Sequence, residues 1–145
     1  MEERLGYELK RAQQALRARM DQALQELGLT TPQYAALAAL EDTPGVSSAE
    51  LARRSFVTPQ SMHAIVAGLE RRGLLTRAPI PGRGRLLAAK LSEDGRHVVD
   101  RAHAVVRAIE ERMAAGLSQA ERQQLLTLLG RCAQALGQTD EPTAV

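Results

Sequence analysis

Two helix-start signals stand eleven residues apart in the middle of this chain, and they restrict its fold more than any other feature. In Val46-Ser47-Ser48-Ala49-Glu50-Leu51, Ser47 is placed as an N-cap and Glu50 supplies the return half of a capping box. Val46 and Leu51 flank them as a hydrophobic staple. In Val57-Thr58-Pro59-Gln60-Ser61-Met62 the device recurs: Thr58 caps, Pro59 takes the first helical position, and Val57 staples to Met62. The first helix must then end near Arg54-Ser55. The second runs to Arg72, with Gly73 as the C′ residue and Leu74 laid on Leu69. Two capped helices joined by so short a turn make a helix-turn-helix.

The flanks extend this unit. Leu74-Leu75-Thr76-Arg77 reads as a short strand, Ala78 to Gly84 as a loop, and Leu86 to Leu91 as a second strand by its alternation. The pair forms a hairpin wing with Arg83 and Arg85 at or beside its tip. Ser92 caps a long helix whose first turn carries Glu93 and Asp94, the correct sign for its dipole. Ser118 with Glu121 forms a capping box that opens a last helix bearing Leu125, Leu126, Leu128, Leu129, Cys132 and Leu136. Upstream, Leu5, Leu9, Ala12, Leu16, Met20, Leu24 and Leu27 form one stripe of a long helix that Gly28 ends. Thr31 followed by Pro32 predicts the cap of a shorter helix through Tyr34, Leu37 and Leu40. With only three aromatic residues, Tyr7, Tyr34 and Phe56, the core must come from aliphatic side chains, which favours helices over sheet. The expected fold is mainly α with a small β-hairpin wing: a winged helix-turn-helix with six helices.

Charge is unevenly placed. Leu51 to Ser92 holds eight basic residues and one acid, Glu70, while the remainder is acidic by five. A basic middle between acidic ends suits a polyanion partner, although a solvated arginine-rich face has the same composition. The helix after Thr58 separates these readings. Met62, Ile65, Val66 and Leu69 form one apolar stripe, whereas Gln60, Ser61, His63, Ala64, Ala67, Gly68 and Arg71 face the other way. Gln60, Ser61 and His63 can reach base edges, and the small residues beyond them let the helix lie in a major groove. Backbone N–H groups near Ser47 and Thr58 suit phosphate. Expected DNA contacts are therefore Ser47, Arg53, Arg54, Thr58, Pro59, Gln60, Ser61, His63, Arg71, Arg77, Arg83 and Arg85. A winged-helix protein-interaction module without DNA binding is the alternative.

Other classes find little support. His63, His97 and His103 are the only histidines, and no catalytic constellation, metal-ligand spacing or phosphate-cradling glycine motif accompanies them. No enzyme activity, metal or cofactor is expected. Cys132 is the sole cysteine, and its place on an apolar stripe reads as a small buried hydrophobe. No apolar run approaches the roughly 18 residues of a membrane span, and Met1-Glu2-Glu3-Arg4 is no secretory leader, so a cytoplasmic location away from membranes is expected.

The joined residues resemble the multiple-antibiotic-resistance regulator (MarR) family of winged helix-turn-helix repressors. Ser48-Ala49-Glu50-Leu51-Ala52, Val57 to Met62, Leu69-Glu70-Arg71-Arg72-Gly73-Leu74-Leu75-Thr76-Arg77, Gly84-Arg85 and Leu91-Ser92-Glu93-Asp94-Gly95 carry the likeness. The resemblance implies a homodimer binding a pseudo-palindromic operator in double-stranded DNA. Residues 1–28 and 93–137 would form dimerisation helices, 29–92 the DNA-binding part, and 138–145 a flexible tail. It also implies a small effector, anionic or aromatic, in a pocket for which Tyr7, Tyr34, His97 and Arg101 are candidates. The wing Pro79-Ile80-Pro81-Gly82-Arg83-Gly84-Arg85 lacks the family's Asp-x-Arg arrangement, which leaves open which arginine takes the tip. The peroxide-sensing branch has a reactive cysteine in its first helix, and this chain has none there.

Overall fold

The computed structural model describes residues 4–138. Its elements are α1 (Leu5–Gln25), α2 (Thr31–Asp42), α3 (Ser48–Arg54), α4 (Pro59–Arg71), β1 (Leu75–Pro79), β2 (Leu87–Leu91), α5 (Glu93–Met113) and α6 (Gln119–Ala135). Six helices and one antiparallel hairpin match the expected winged helix-turn-helix. The tail expected from 138 lies, past Gln138, outside the described residues.

Helix boundaries follow local chemistry. Ser47, Thr58, Ser92 and Ser118 each accept the N–H three residues on. Gly28 and Gly73, at φ 72° and 74°, close α1 and α4 with the paired bonds of a Schellman motif. Gly28 N donates to Gln25 O and Leu29 N to Leu24 O; Gly73 N donates to Glu70 O and Leu74 N to Leu69 O. Three expectations need correction. The cap of α2 is Thr30, not Thr31: its hydroxyl accepts from Gln33 N while Gln33 Oε1 accepts from Thr30 N, a complete capping box. The Ser47 cap lacks its return half, because Glu50 turns to Arg53 and Arg54 instead. Ala78 and Pro79 belong to β1, paired with Ala88 and Leu87, so the wing loop is residues 80–86.

Helix α2 sits at the centre. Tyr34 and the run Ala36 to Leu40 are all buried, because α1, α3, α4, α5 and β2 each pack against a different side of it. Leu24, Leu51, Met62, Val66, Leu69, Leu75 and Val99 complete the core around it. Where β2 runs into α5, Ser92 N donates to Leu74 O and Ser92 Oγ to Gly73 O. Gly95 presses so closely on that segment that a Cβ would stand 2.0 Å from Leu74 O. Glycine is the residue that fits.

The opposite end of the molecule is unfinished. No residue of α6 is buried, and Leu125, Leu126, Leu128, Leu129 and Leu136 are exposed, as are Leu5, Tyr7 and Leu9 on α1. Cys132 is likewise exposed in the protomer, contrary to the buried role expected for it. That expectation assumed the α6 stripe packs on its own chain.

Candidate nucleic-acid interface

Helix α4 presents two unlike faces. Met62, Val66 and Leu69 are buried, whereas Gln60, Ser61, His63, Ala64 and Arg71 are exposed. The exposed half begins at the helix N-terminus, where Thr58 Oγ1 accepts from Ser61 N at 3.1 Å. The Thr58 hydroxyl also donates to Ser61 Oγ at 2.9 Å, which fixes the position of the Ser61 hydroxyl at the helix start. Beyond the first turn only Ala64 and the half-buried Ala67 and Gly68 separate this polar end from Arg71. The result is a slim ridge with hydrogen-bonding groups at its leading end.

The wing lies beside that ridge. Gly82 and Gly84, at φ 75° and 62°, let the loop fold on itself, with Arg83 N donating to Ile80 O and Leu86 N to Arg83 O. Arg83 and Arg85 are both exposed. A cleft of about 200 Å³ brings together Ser47, His63, Arg77, Arg85 and Leu87. Residues from the start of α3, the exposed polar face of α4 and both sides of the wing thus border one concave surface.

The cations are not equivalent. Glu50 bridges Arg53 and Arg54, and their hydrogen bonds hold its carboxyl below the usual range. Arg54 also donates to Thr43 Oγ1 at 3.0 Å. Arg77 forms a bidentate pair with Glu70, which lowers the Glu70 pKa and raises that of Arg77. Arg72 Nη1 donates to Gly28 O at 2.7 Å. The positive stretch read from sequence is therefore partly spent inside the fold. Of that stretch, among the described residues, Arg71, Arg83, Arg85 and Lys90 are exposed with neither an ion pair nor a side-chain hydrogen bond, and Arg72 is exposed with only its bond to Gly28 O.

One feature of the turn carries no sequence signal. Phe56 holds φ 55°, the one non-glycine residue at positive φ among those described, and it is 74% exposed. Next to it, Ser55 Oγ is buried without a hydrogen-bond partner. A bulky residue in the left-handed region and an orphan hydroxyl both cost free energy, so this turn is locally strained.

The residues expected for an effector site do not share one environment. Tyr34 is buried at 4% exposure, and its hydroxyl meets His103 Nδ1 at 2.7 Å. His103 Nε2 lies 3.0 Å from Glu41 Oε1, so sequence reading missed His103 as Tyr34's partner from α5. Tyr7 on α1 and His97 and Arg101 on α5 are exposed. A separate groove of about 290 Å³ runs between α1 and α5, bordered by Leu16, Arg19, Ile109, Arg112 and Met113. Among the described residues no group of His, Cys, Asp and Glu could hold a metal, and no helix is long and apolar enough to cross a membrane.

Comparison with known proteins bears on this geometry. A sequence profile describing the MarR family matches residues 27–86. The chain is 42% identical over 125 residues to the HTH-type transcriptional repressor Rv2887 of Mycobacterium tuberculosis, covering 86% of this chain and 90% of that one. Its structure is similar to that of Rv2887 in complex with DNA, with a TM-score of 0.75 and 37% identity over 94% of this chain and 100% of that one. It is also similar to Rv2887 in complex with salicylic acid, with a TM-score of 0.74 and 40% identity over 90% and 97% of the two chains.

Proposed function

The chain belongs to the MarR family, and from that premise we propose that it is a homodimeric, sequence-specific DNA-binding transcriptional repressor released by a small aromatic carboxylate. One observation carries this reading. The exposed face of α4 is polar at its N-terminal end and small-sided behind it, and unpaired arginines lie beside it on α4 and the wing. A B-DNA major groove admits such a helix and is read chiefly from its N-terminus.

The roles divide by chemistry. Gln60 suits adenine N6 and N7, while Ser61 and His63 address neighbouring base edges. Thr58, Pro59 and Ser47 bring helix N-termini toward phosphates, and Arg71, Arg83 and Arg85 supply the mobile cations. Arg53, Arg54 and Arg77 act differently, with Arg54 and Arg77 fixing the scaffold through Glu50 and Glu70. Helices α1, α5 and α6 form the dimer, since the exposed leucines of α6 need a second copy to bury them. Dimerisation sets the two reading helices about 34 Å apart, one turn of the duplex.

An effector acts only by favouring a dimer shape that misplaces this spacing. The salicylic acid complex of the relative supports an aromatic carboxylate as its class, and the exposed Tyr7, His97 and Arg101 are groups that could meet one.

Selection of bound duplexes from a random pool tests the reading. A two-fold symmetric consensus, bound with a log–log salt slope of about −0.9 per neutralised phosphate and released by salicylate, is expected. A pool that enriches no sequence rejects it.

A further inference from the structure

Arg71 and Arg72 are adjacent at the end of α4, yet they do different things. Both are exposed, but among the described residues the Arg71 side chain has no hydrogen-bond or ion-pair partner. Arg72 reaches across 44 positions of sequence to donate to Gly28 O at 2.7 Å. Gly28 is the residue that closes α1, so the guanidinium meets the negative end of that helix dipole. The fit is close, because a Cβ on Gly28 would stand 3.1 Å from Arg72 Nη2.

This bond joins two helices whose main packing partners, α2 aside, are different. Helix α1 packs on α2 and α5, and α4 packs on α2, α3 and β1. The end of α1 is anchored independently to the start of α2, where Thr31 Oγ1 donates to Asp21 and Arg17 pairs with the same carboxylate. Arg72 therefore ties the far end of the reading helix to an anchored point on the proposed dimerisation helix.

We propose that Arg72 is a positioning residue: a strut that holds the pitch of α4 against α1 and so sets where the two reading helices of a dimer fall. The lever is long enough to matter. The 13 residues of α4 span about 20 Å at 1.5 Å per residue, so a tilt of about 5° at the strut displaces the leading end by about 1.7 Å. Hydrogen bonds to base edges do not survive that displacement. The geometry stands alone; its consequence for spacing rests on the DNA-binding reading above.

Arg72→Met keeps the aliphatic stem and removes the donor, and Arg72→Lys restores one. In a Cys132→Ser background, spin labels at Gln14 on α1 and Ala64 on α4 report the distance within one chain, once diluted into excess unlabelled protein. The wild type is expected to give a narrow distribution, Arg72→Met a broader one, and Arg72→Lys a width near wild type. The unlabelled wild type, Arg72→Met and Arg72→Lys, with Ala64 intact, are then titrated with duplexes whose two half-sites are moved apart or together by one base pair. Misplacement is expected to weaken wild-type binding about tenfold or more, the scale of a lost half-site contact, and to weaken Arg72→Met far less. Equal label widths, or an Arg72→Met loss that is uniform across the duplexes, overturns the strut. A wild type that binds none of the duplexes rejects the DNA reading instead, and the label distances still decide the strut.

Discussion

The hydroxyl of Tyr34 meets Nδ1 of His103 at 2.7 Å, with the two rings edge to face at 5.5 Å. Glu41 takes the other ring nitrogen, so a hydrogen-bonded chain of three side chains crosses from α2 to α5 and back. Burial first, and the carboxylates of Glu110, Glu41 and Asp42 after it, push the Tyr34 pKa up to about 12, against a smaller opposing pull from Arg107.

Stability should therefore fall in alkali. Tyrosine ionises near 10 when unfolded, so the neutral, buried Tyr34 contributes fully below pH 10, and its contribution is lost as pH rises toward 12. A shift of that size corresponds to about 2–3 kcal/mol. Urea melts between pH 9 and 12 should show the decline, and Tyr34→Phe should flatten it while losing about 1 kcal/mol at pH 8. An unchanged alkaline slope in Tyr34→Phe counts against the assignment.

Gly95→Ala should be among the most damaging single methyl additions in the protein. The new carbon would meet the Leu74 carbonyl at 2.0 Å, and that backbone is already bonded to Ser92. A loss of roughly 3 kcal/mol or more is expected from such overpacking. Gly45→Ala would meet no atom within 4 Å and should lose less, its φ of 85° being its only handicap. Comparable melting temperatures for the two would contradict the close contact.

On DNA, the arginines should separate into two groups. Gln60→Ala should relax base preference at one position, with about 1–3 kcal/mol lost on the selected duplex. Arg85→Ala should weaken all sequences alike and make the salt slope shallower by about 0.9. Arg77→Ala, whose side chain is only 19% exposed and held by Glu70, should leave the slope unchanged and cost stability of about 1 kcal/mol or less. Filter binding at three salt concentrations distinguishes all three.

Helix α6 predicts a stability that depends on protein concentration. With Leu125 and Leu129 exposed in the protomer, their burial must come from association, and association raises the melting temperature by mass action. Leu125→Asp with Leu129→Asp should sediment as a monomer and melt independently of concentration. A wild type that is monomeric at tens of micromolar would refute the proposed interface.

The caps at Ser47, Thr58, Ser92 and Ser118 were readable from sequence because each depends on residues within one helical turn. The α2 cap falls one residue before the expected Thr31 because Thr31-Pro32 mimics Thr58-Pro59, although Gln33, three residues after Thr30, marks the capping box. The exposed polar face of α4 was readable for the same local reason, since a 3.6-residue period separates the buried Met62, Val66 and Leu69 from the exposed Gln60, Ser61 and His63. The fate of individual arginines was not. Arg77 finds Glu70 only after the chain turns from α4 into β1, and Arg72 finds Gly28 only once α1 and α4 converge. Charge counting treated them as part of one positive surface. The burial of Ala36, Ala38 and Ala39 was equally hidden, because a helix enclosed on every side shows no amphipathic period.

That enclosure has a mechanical meaning. With Ala36 to Leu40 sheathed all round, α2 serves as a common axle for the half of the molecule that carries the wing and the half that carries α1 and α5. Melting either half alone would strip the axle bare, so rotations of intact bodies are the less costly changes of shape. Its backbone amides are accordingly the ones that should surrender their protons last.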